Sequence, residues 1–359
     1  MFKSFSTLGI CFVFLIATTY PVSEEAGEQV FSTKKKVSSD KGLYVTSWVA
    51  KTPKRFEQIK KLAKSRGLNT LVIDAKYDIE GQLIPIIKDK KLTPKTRVTA
   101  STWLKELADQ VHKEGFILTA RIVVFKDDHL VLARPDLSVK LPGNRMYRDH
   151  KGGRWANPYE PEVRLYNELL AEIAAMSGVD EVQFDYIRFP AEGEAGRLKF
   201  PEEKELSRVA VINTFLRDTR NRLAKYNVSI GVDIFGITAW EKSDYDIKTL
   251  GQSIEAMAEY IDVLSPMLYP SHFHRGFDGH AIPGEDPYYF ISKGIERTQL
   301  LIKDRNVKIV PWIQGFAMET SWFGPKYISE QIRACRDNSV DRFLIWNARN
   351  VYDSVPSLQ

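Results

Sequence analysis

From residue 42 onward the sequence repeats one pattern eight times: a short run rich in Val, Ile and Leu, then a longer amphipathic stretch. The strand-like runs cover 43–49, 70–74, 117–124, 181–187, 229–235, 262–268, 308–313 and 342–346. Helical periodicity fills 53–66, 101–114, 160–176, 202–225, 249–259, 287–303 and 325–337, and the first two helices stop at Gly67 and Gly115. Alternating β and α units predict a parallel sheet, and eight of them in about 310 residues predict one closed (β/α)8 TIM barrel of the α/β class. No glycine-rich loop follows the first strand, which argues against a nucleotide-binding doubly wound sheet.

The barrel is expected over 42–355, preceded by two segments of different character. Lys3 followed by the apolar run 8–17 has the layout of an export signal, so 1–22 is read as a signal peptide or N-terminal anchor. That run is about half the length needed to cross a bilayer. Ile10 stands before Cys11 where a lipoprotein signal needs a small residue. Residues 23–41, with Lys34-Lys35-Lys36 and few apolar side chains, read as a flexible linker. The predicted location is secreted or at the cell envelope, with membrane association only through the N-terminal segment. The chain has two cysteines, and removal of the signal would leave Cys335 alone, so no disulfide is expected. A net charge of +5 over 359 residues makes no case for a nucleic-acid partner.

In a barrel the loops after strand C-termini carry the active site. Two of these, 126–158 and 271–286, are long and rich in Gly, Pro, His and aromatic residues. Strands buried on both faces should be aliphatic, so polar residues near their C-termini need a partner or a task. The densest case is 180–190, where period-two alternation puts Gln183 and Asp185 on one side. Asp185 is the first catalytic candidate, and the competing role is an ion pair with Arg188. Asp233, ending the next strand, is the second, since neighbouring strands lie about 4.8 Å apart and facing carboxylates can reach the spacing of a glycosidase pair. Its competing role is as an acceptor for Arg121 or Arg188. Glu241 and Glu319 are rival acids. Asp74 and Lys76 share a side of the second strand, either as a buried pair or as substrate contacts. Tyr269, Gln314, Trp346 and Asn347 end the later strands, and with Arg121, Trp155, Gln183 and Arg188 they complete the expected substrate-binding set.

Of seven tryptophans, Trp48, Trp240, Trp312 and Trp346 fall at or just beyond strand ends, and Trp155 lies in the long third loop. Flat rings with one polar N–H suit a pyranose, which has an apolar face and a hydroxyl rim. His272, His274 and His280 lack a carboxylate at metal-ligand spacing, so no metal and no other cofactor is expected. No Gly-x-Ser-x-Gly elbow supports serine catalysis.

The motifs Val72-Ile73-Asp74-Ala75-Lys76, Trp155-Ala156-Asn157-Pro158-Tyr159 and the run from Asp180 to Pro190 resemble the bacterial glycoside hydrolase family formerly called domain of unknown function 4015. The resemblance spans about 42–352 and implies a glycosidase-type barrel related to those of α-amylases and α-galactosidases, whose nucleophilic Asp ends strand four. It puts Asp185 in the nucleophile position. Amylase-like barrels use Glu at the end of strand five, where this chain has Asp233. Family 18 chitinases offer a second resemblance: Asp180, Gln183, Asp185 and Ile187 fall on their strand-four pattern, and Met267-Leu268-Tyr269 and Trp346 on two others. Ile187 replaces the catalytic Glu, which excludes that acid. The resulting expectation is an exported glycosidase acting on a cell-wall or extracellular polysaccharide through Asp185 and Asp233. The alternatives are a non-catalytic carbohydrate-binding barrel and a metal-dependent polysaccharide deacetylase.

Overall fold

The computed structural model describes residues 41–240 and 244–358, so the predicted signal and linker lie outside the described residues. Eight parallel strands form the barrel: β1 (Lys41–Val45), β2 (Thr70–Asp74), β3 (Ile117–Val123), β4 (Glu181–Asp185), β5 (Ser229–Phe235), β6 (Val263–Met267), β7 in two pieces (Lys308–Ile309 and Trp312–Gln314) and β8 (Phe343–Trp346). Each pairs with the next in chain order, and β8 closes onto β1 with Lys41 opposite Phe343 and Leu43 opposite Ile345. The interruption in β7 falls at Val310-Pro311, where proline has no N–H to give the ladder. Its carbonyl still accepts from the Leu344 N–H at 2.9 Å, which keeps β7 in register with β8.

The main crossover helices lie close to the predicted ranges, at Pro53–Ser65, Thr102–Lys113, Pro161–Met176, Arg208–Leu223, Pro287–Leu301 and Pro325–Asp337. Gly67 and Gly115 follow the first two at φ +75° and +81°, the left-handed geometry that makes glycine the favoured helix stop. The helix expected over 249–259 is instead two short ones, Asp244–Leu250 and Ile254–Met257, and two further boundaries differ for reasons visible in their caps. β1 ends at Val45 because Thr46 caps a one-turn helix, Ser47–Ala50, its hydroxyl accepting from the Val49 N–H at 3.2 Å. The helix expected from 202 begins at Arg208, where the Ser207 hydroxyl accepts from the Ala210 N–H, and the residues before it lengthen the loop after β4. No described helix is long and apolar enough to cross a membrane.

Burial separates two apolar regions. The large one lies between strands and helices and is built of residues such as Leu71, Ile73, Leu118, Ala120, Val182 and Phe184. The smaller one fills part of the barrel lumen with Tyr44, Val72, Val263, Tyr269, Val310, Trp312 and Leu344. Alternate residues of one strand therefore enter different regions, as period-two geometry requires. Each fully buried aliphatic side chain in the outer layer contributes about 1.5–3 kcal/mol, so this layer holds the cylinder together. The lumen accommodates the polar residues.

Candidate active site

The polar residues meet at the C-terminal mouth of the barrel. β3 and β4 pair with Arg121 opposite Gln183 and Val123 opposite Asp185, while β2 sets Asp74 opposite Arg121. Arg121 is buried and joins two carboxylates. Its Nε lies 3.2 Å from Asp185 Oδ2, its Nη2 bonds the same oxygen, and its Nη1 bonds Asp74. Its guanidinium carbon also sits 5.1 Å from the Trp346 ring centre and 5.7 Å from that of Tyr44. Burial alone would lower the guanidinium pKa, but the charges of Asp74 and Asp185 outweigh it and hold the value above its ordinary range. The other oxygen of Asp185 accepts the Tyr186 N–H at 2.6 Å. Tyr186 adopts φ +50°, an uncommon conformation for a non-glycine residue, directly beside the carboxylate.

Asp233 stands on β5, where Gln183 is level with Gly231 and Phe184 with Val232. Continuing that register by one residue brings Asp185 and Asp233 side by side. Asp233 is buried, and its Oδ1 accepts the Trp312 indole N–H at 2.7 Å. Burial, and next the charge of Asp185, push its pKa well above the usual carboxylate range, against the opposing influence of Arg121 and the indole bond. Two neighbouring carboxyl groups thus differ in environment: one is ion-paired, the other desolvated and inclined to keep its proton.

Below them, Gln183 Nε2 donates to the Ser265 hydroxyl at 3.1 Å. Gly231 leaves room in this layer for Glu181, whose Oε1 would lie 2.4 Å from any added Cβ. The opposite wall is aromatic. Tyr44 stacks on Trp346 at 3.9 Å between centroids, Trp312 meets Trp346 edge-on at 5.5 Å, and Tyr269 packs against His272 and Phe316. Burial, followed by the charges of Asp233 and Asp185, keeps the Tyr269 phenol protonated and able to donate. The Tyr44 hydroxyl bonds Asp74.

Several predicted residues stand elsewhere. Lys76, expected beside Asp74, turns behind the strands: its ammonium is 2.5 Å from Asp127 and donates to the Val123 carbonyl at 2.6 Å. Arg188, offered as a partner for Asp185 or Asp233, bonds Glu192 at 2.6 Å and lies over the Phe235 ring at 4.1 Å. Trp155 is fully buried, with Arg188 over its ring at 4.9 Å and its N–H 3.3 Å from Asp149. Gln314 accepts from the Ser271 N–H and donates to the Phe316 and Met318 carbonyls. Asn347 donates to the Gly315 and Val351 carbonyls. Both thus hold loops at the mouth. Glu319 is exposed and paired with Arg275, and Glu241 lies outside the described residues. Asp180 belongs to the other end of the barrel, where it accepts from the Leu118 N–H at 2.9 Å. Trp240 is buried among Phe273, Phe277 and Phe290.

Tyr44 and Ser265 belong to this site but were absent from the sequence-based set. Alternation puts Tyr44 on the same face as Gly42, and its place at the mouth follows from β1 ending at Val45. Among the described residues no group of three or more His, Cys, Asp and Glu forms a metal-ligand cluster. Cys335 is buried, and burial pushes its thiol pKa far up, which makes it a poor nucleophile.

Residues 42–352 match a protein-family model described as "Putative glycosyl hydrolase domain". No curated protein sequence matches the chain. Among solved structures, the glycoside hydrolase domain of PgaB (BpsB) from Bordetella bronchiseptica is 11% identical with a TM-score of 0.59, over 87% of this chain and 95% of that one. The hyperthermostable endo-1,4-beta-D-mannanase of Thermotoga petrophila RKU-1 is 13% identical, with a TM-score of 0.53 over 89% of this chain and 94% of that one. The spore cortex-lytic enzyme SleL of Bacillus cereus is 11% identical, with a TM-score of 0.52 over 89% and 73%. At these identities the likeness is one of fold.

Proposed function

The chain belongs to that glycosyl hydrolase domain family, and from this premise we propose that it hydrolyses glycosidic bonds in a cell-wall or extracellular polysaccharide, with Asp185 and Asp233 as the reacting pair. The observation that carries the reading is the contrast between the ion-paired Asp185 and the buried Asp233, whose pKa is raised. Glycoside hydrolysis needs one carboxylic acid to protonate the leaving oxygen and one carboxylate to meet the positive charge that develops at the anomeric carbon. Asp233 fills the first role. Asp185 fills the second, as nucleophile or as charge stabiliser, with Arg121 and the Tyr186 N–H fixing its orientation. Asp74 and Tyr269 face the same space as hydroxyl-binding groups, and Trp346 with Tyr44 offers a flat wall for a sugar ring. The apolar N-terminal segment supports export to where such polymers lie.

The test is reducing-end release across a panel of cell-wall and extracellular polysaccharides by the wild type and Asp185→Asn. Turnover on at least one polymer, reduced by about 10²–10⁴ in the variant while binding of that polymer persists, is expected. Equal turnover by both proteins overturns the assignment of Asp185. Binding without turnover by the wild type favours a carbohydrate-binding barrel, and acetate release without new reducing ends, abolished by a chelator, favours a metal-dependent deacetylase.

A further inference from the structure

The loops after β1 and β2 carry two large aromatic side chains that the lumen does not use. Trp48 is 71% exposed on the one-turn helix Ser47–Ala50, and Tyr77 is 52% exposed on a second short helix, Lys76–Ile79. A single exposed aromatic residue on a surface needs no explanation. Here two independent features argue for a role. First, the segments are tied together and held in place. Lys51, at the end of the first helix, forms an ion pair with Asp78 on the second and lies 4.7 Å from the centre of the Trp103 ring. The Thr52 hydroxyl donates to the Trp48 carbonyl at 2.8 Å, the Thr46 N–H donates to Asn350 at 3.0 Å, and Tyr77 packs on His129 at 4.3 Å. Second, the pair continues the candidate site. Trp48 follows Tyr44 by four residues, and Tyr77 follows Asp74 by three, on adjacent strands whose inward side chains already meet through the Tyr44–Asp74 hydrogen bond. Trp48 and Tyr77 therefore stand on the loops that leave β1 and β2 just beyond Tyr44 and Asp74.

We propose that Trp48 and Tyr77 form a distal binding subsite for a polysaccharide chain, stacking on the apolar faces of pyranose units several residues away from the bond being cleaved. This rests on the glycosidase reading and extends it: the substrate is a long chain held across the β1–β2 rim, and cleavage is internal. A flat ring presented to solvent gains by covering a sugar face, and its fixed backbone limits the entropy lost on binding. Charge fits a neutral glycan at this edge, because the acidic groups around it are paired: Asp78 with Lys51, Asp127 with Lys76, Asp128 with Arg154 and Asp74 with Arg121.

The test compares the wild type with Trp48→Ala, Tyr77→Ala and the double variant, on a polymer cleaved by the wild type and on a di- or trisaccharide of the same sugar. For the double variant the ratio of polymer to short-substrate kcat/KM is expected to fall about tenfold, mostly through KM, with about 1.4 kcal/mol corresponding to that factor. Trp48→Phe should recover part of it. A ratio within twofold of wild type overturns the subsite. Glycan binding is read separately by affinity electrophoresis in gels containing hydroxyethylcellulose, galactomannan or glycol chitosan. Retardation of the wild type that the double variant loses supports the platform even where no turnover is found, in which case the glycosidase reading alone fails. Wild-type migration unaffected by all three polymers overturns it, as does a wild-type dimer in sedimentation that Trp48→Ala converts to monomer, since the rings would then serve a second copy of the chain.

Discussion

The two halves of the barrel lumen are built on opposite principles. β2 to β5 supply Asp74, Arg121, Gln183, Asp185 and Asp233, whereas β6, β7, β8 and β1 and the residues just beyond them supply Tyr269, Trp312, Trp346 and Tyr44. The charged half would be costly in a dry core without internal pairing, and Arg121 provides that pairing for two of the three carboxylates at its mouth, Asp74 and Asp185. The aromatic half excludes water from the third, Asp233, and gives it one indole N–H. Neither half alone would give the two carboxyl groups such different surroundings, one ion-paired and one buried against an indole. The difference arises where the halves meet, at the β4–β5 seam facing Trp312.

The largest effect should come from breaking the charged half at its hub. Arg121→Met leaves the buried Asp185 and the half-buried Asp74 without their cation, and removing one member of such a buried network costs about 3–5 kcal/mol. Chemical denaturation is expected to show a loss of that order together with loss of activity. Arg121→Lys, which keeps the charge but not the fork, should recover much of the stability and less of the activity. A stability loss under 1 kcal/mol for Arg121→Met would mean that the ion pairs do not organise the lumen.

Next in size is Asp233→Asn, which acts at the seam. Its turnover should fall by about 10²–10⁴, as expected for removal of a general acid. Its stability should move the other way, and the sign follows from linkage. The folded-state pKa of Asp233 lies above the unfolded value of about 3.9. The stabilisation from its neutral form is therefore complete below that value and is lost as pH rises through the folded pKa. Asn does not titrate and can still accept the Trp312 N–H. The melting temperature of the variant relative to wild type should rise from pH 4 upward, and a constant difference across that range would show that Asp233 is ionised in the fold.

The contrast between outer layer and lumen also explains what was legible in the sequence. Eight strands and their order could be read because the outer layer obeys one rule, aliphatic residues at alternate positions, repeated eight times. Asp185, Asp233 and Arg121 could be picked out because charge in such strands is conspicuous. Their partners could not be read, because partner choice depends on register between strands and on side-chain direction. Lys76 lies two residues from Asp74 yet bonds Asp127, since the chain bends into a helix at that point. Arg188 lies three residues from Asp185 yet bonds Glu192, because the backbone turns at Tyr186 with positive φ. The tryptophans that the sequence places at strand ends and in the third loop divide into Trp312 and Trp346 in the lumen, Trp155 and Trp240 packed beneath loops, and Trp48 in solvent. A ring at a strand end can fill any of these places, and composition does not separate them.

The smallest predicted effect tests the aromatic half through one atom. Trp312→Phe retains most of the ring but removes the N–H that bonds Asp233 Oδ1. That bond favours the ionised carboxylate, so its loss should raise the pKa of Asp233 further. If Asp233 is the acid, activity falls as pH rises through this pKa, and the alkaline limb of the kcat profile should move to higher pH in the variant. A hydrogen bond to a charged group is worth about 1.5–3 kcal/mol, which corresponds to a shift of roughly 1–2 pH units. The acidic limb, which belongs to a different group, should stay in place. A shift of the alkaline limb toward lower pH would mean that the indole acts mainly by excluding water, and that the aromatic half controls Asp233 through burial rather than through this bond.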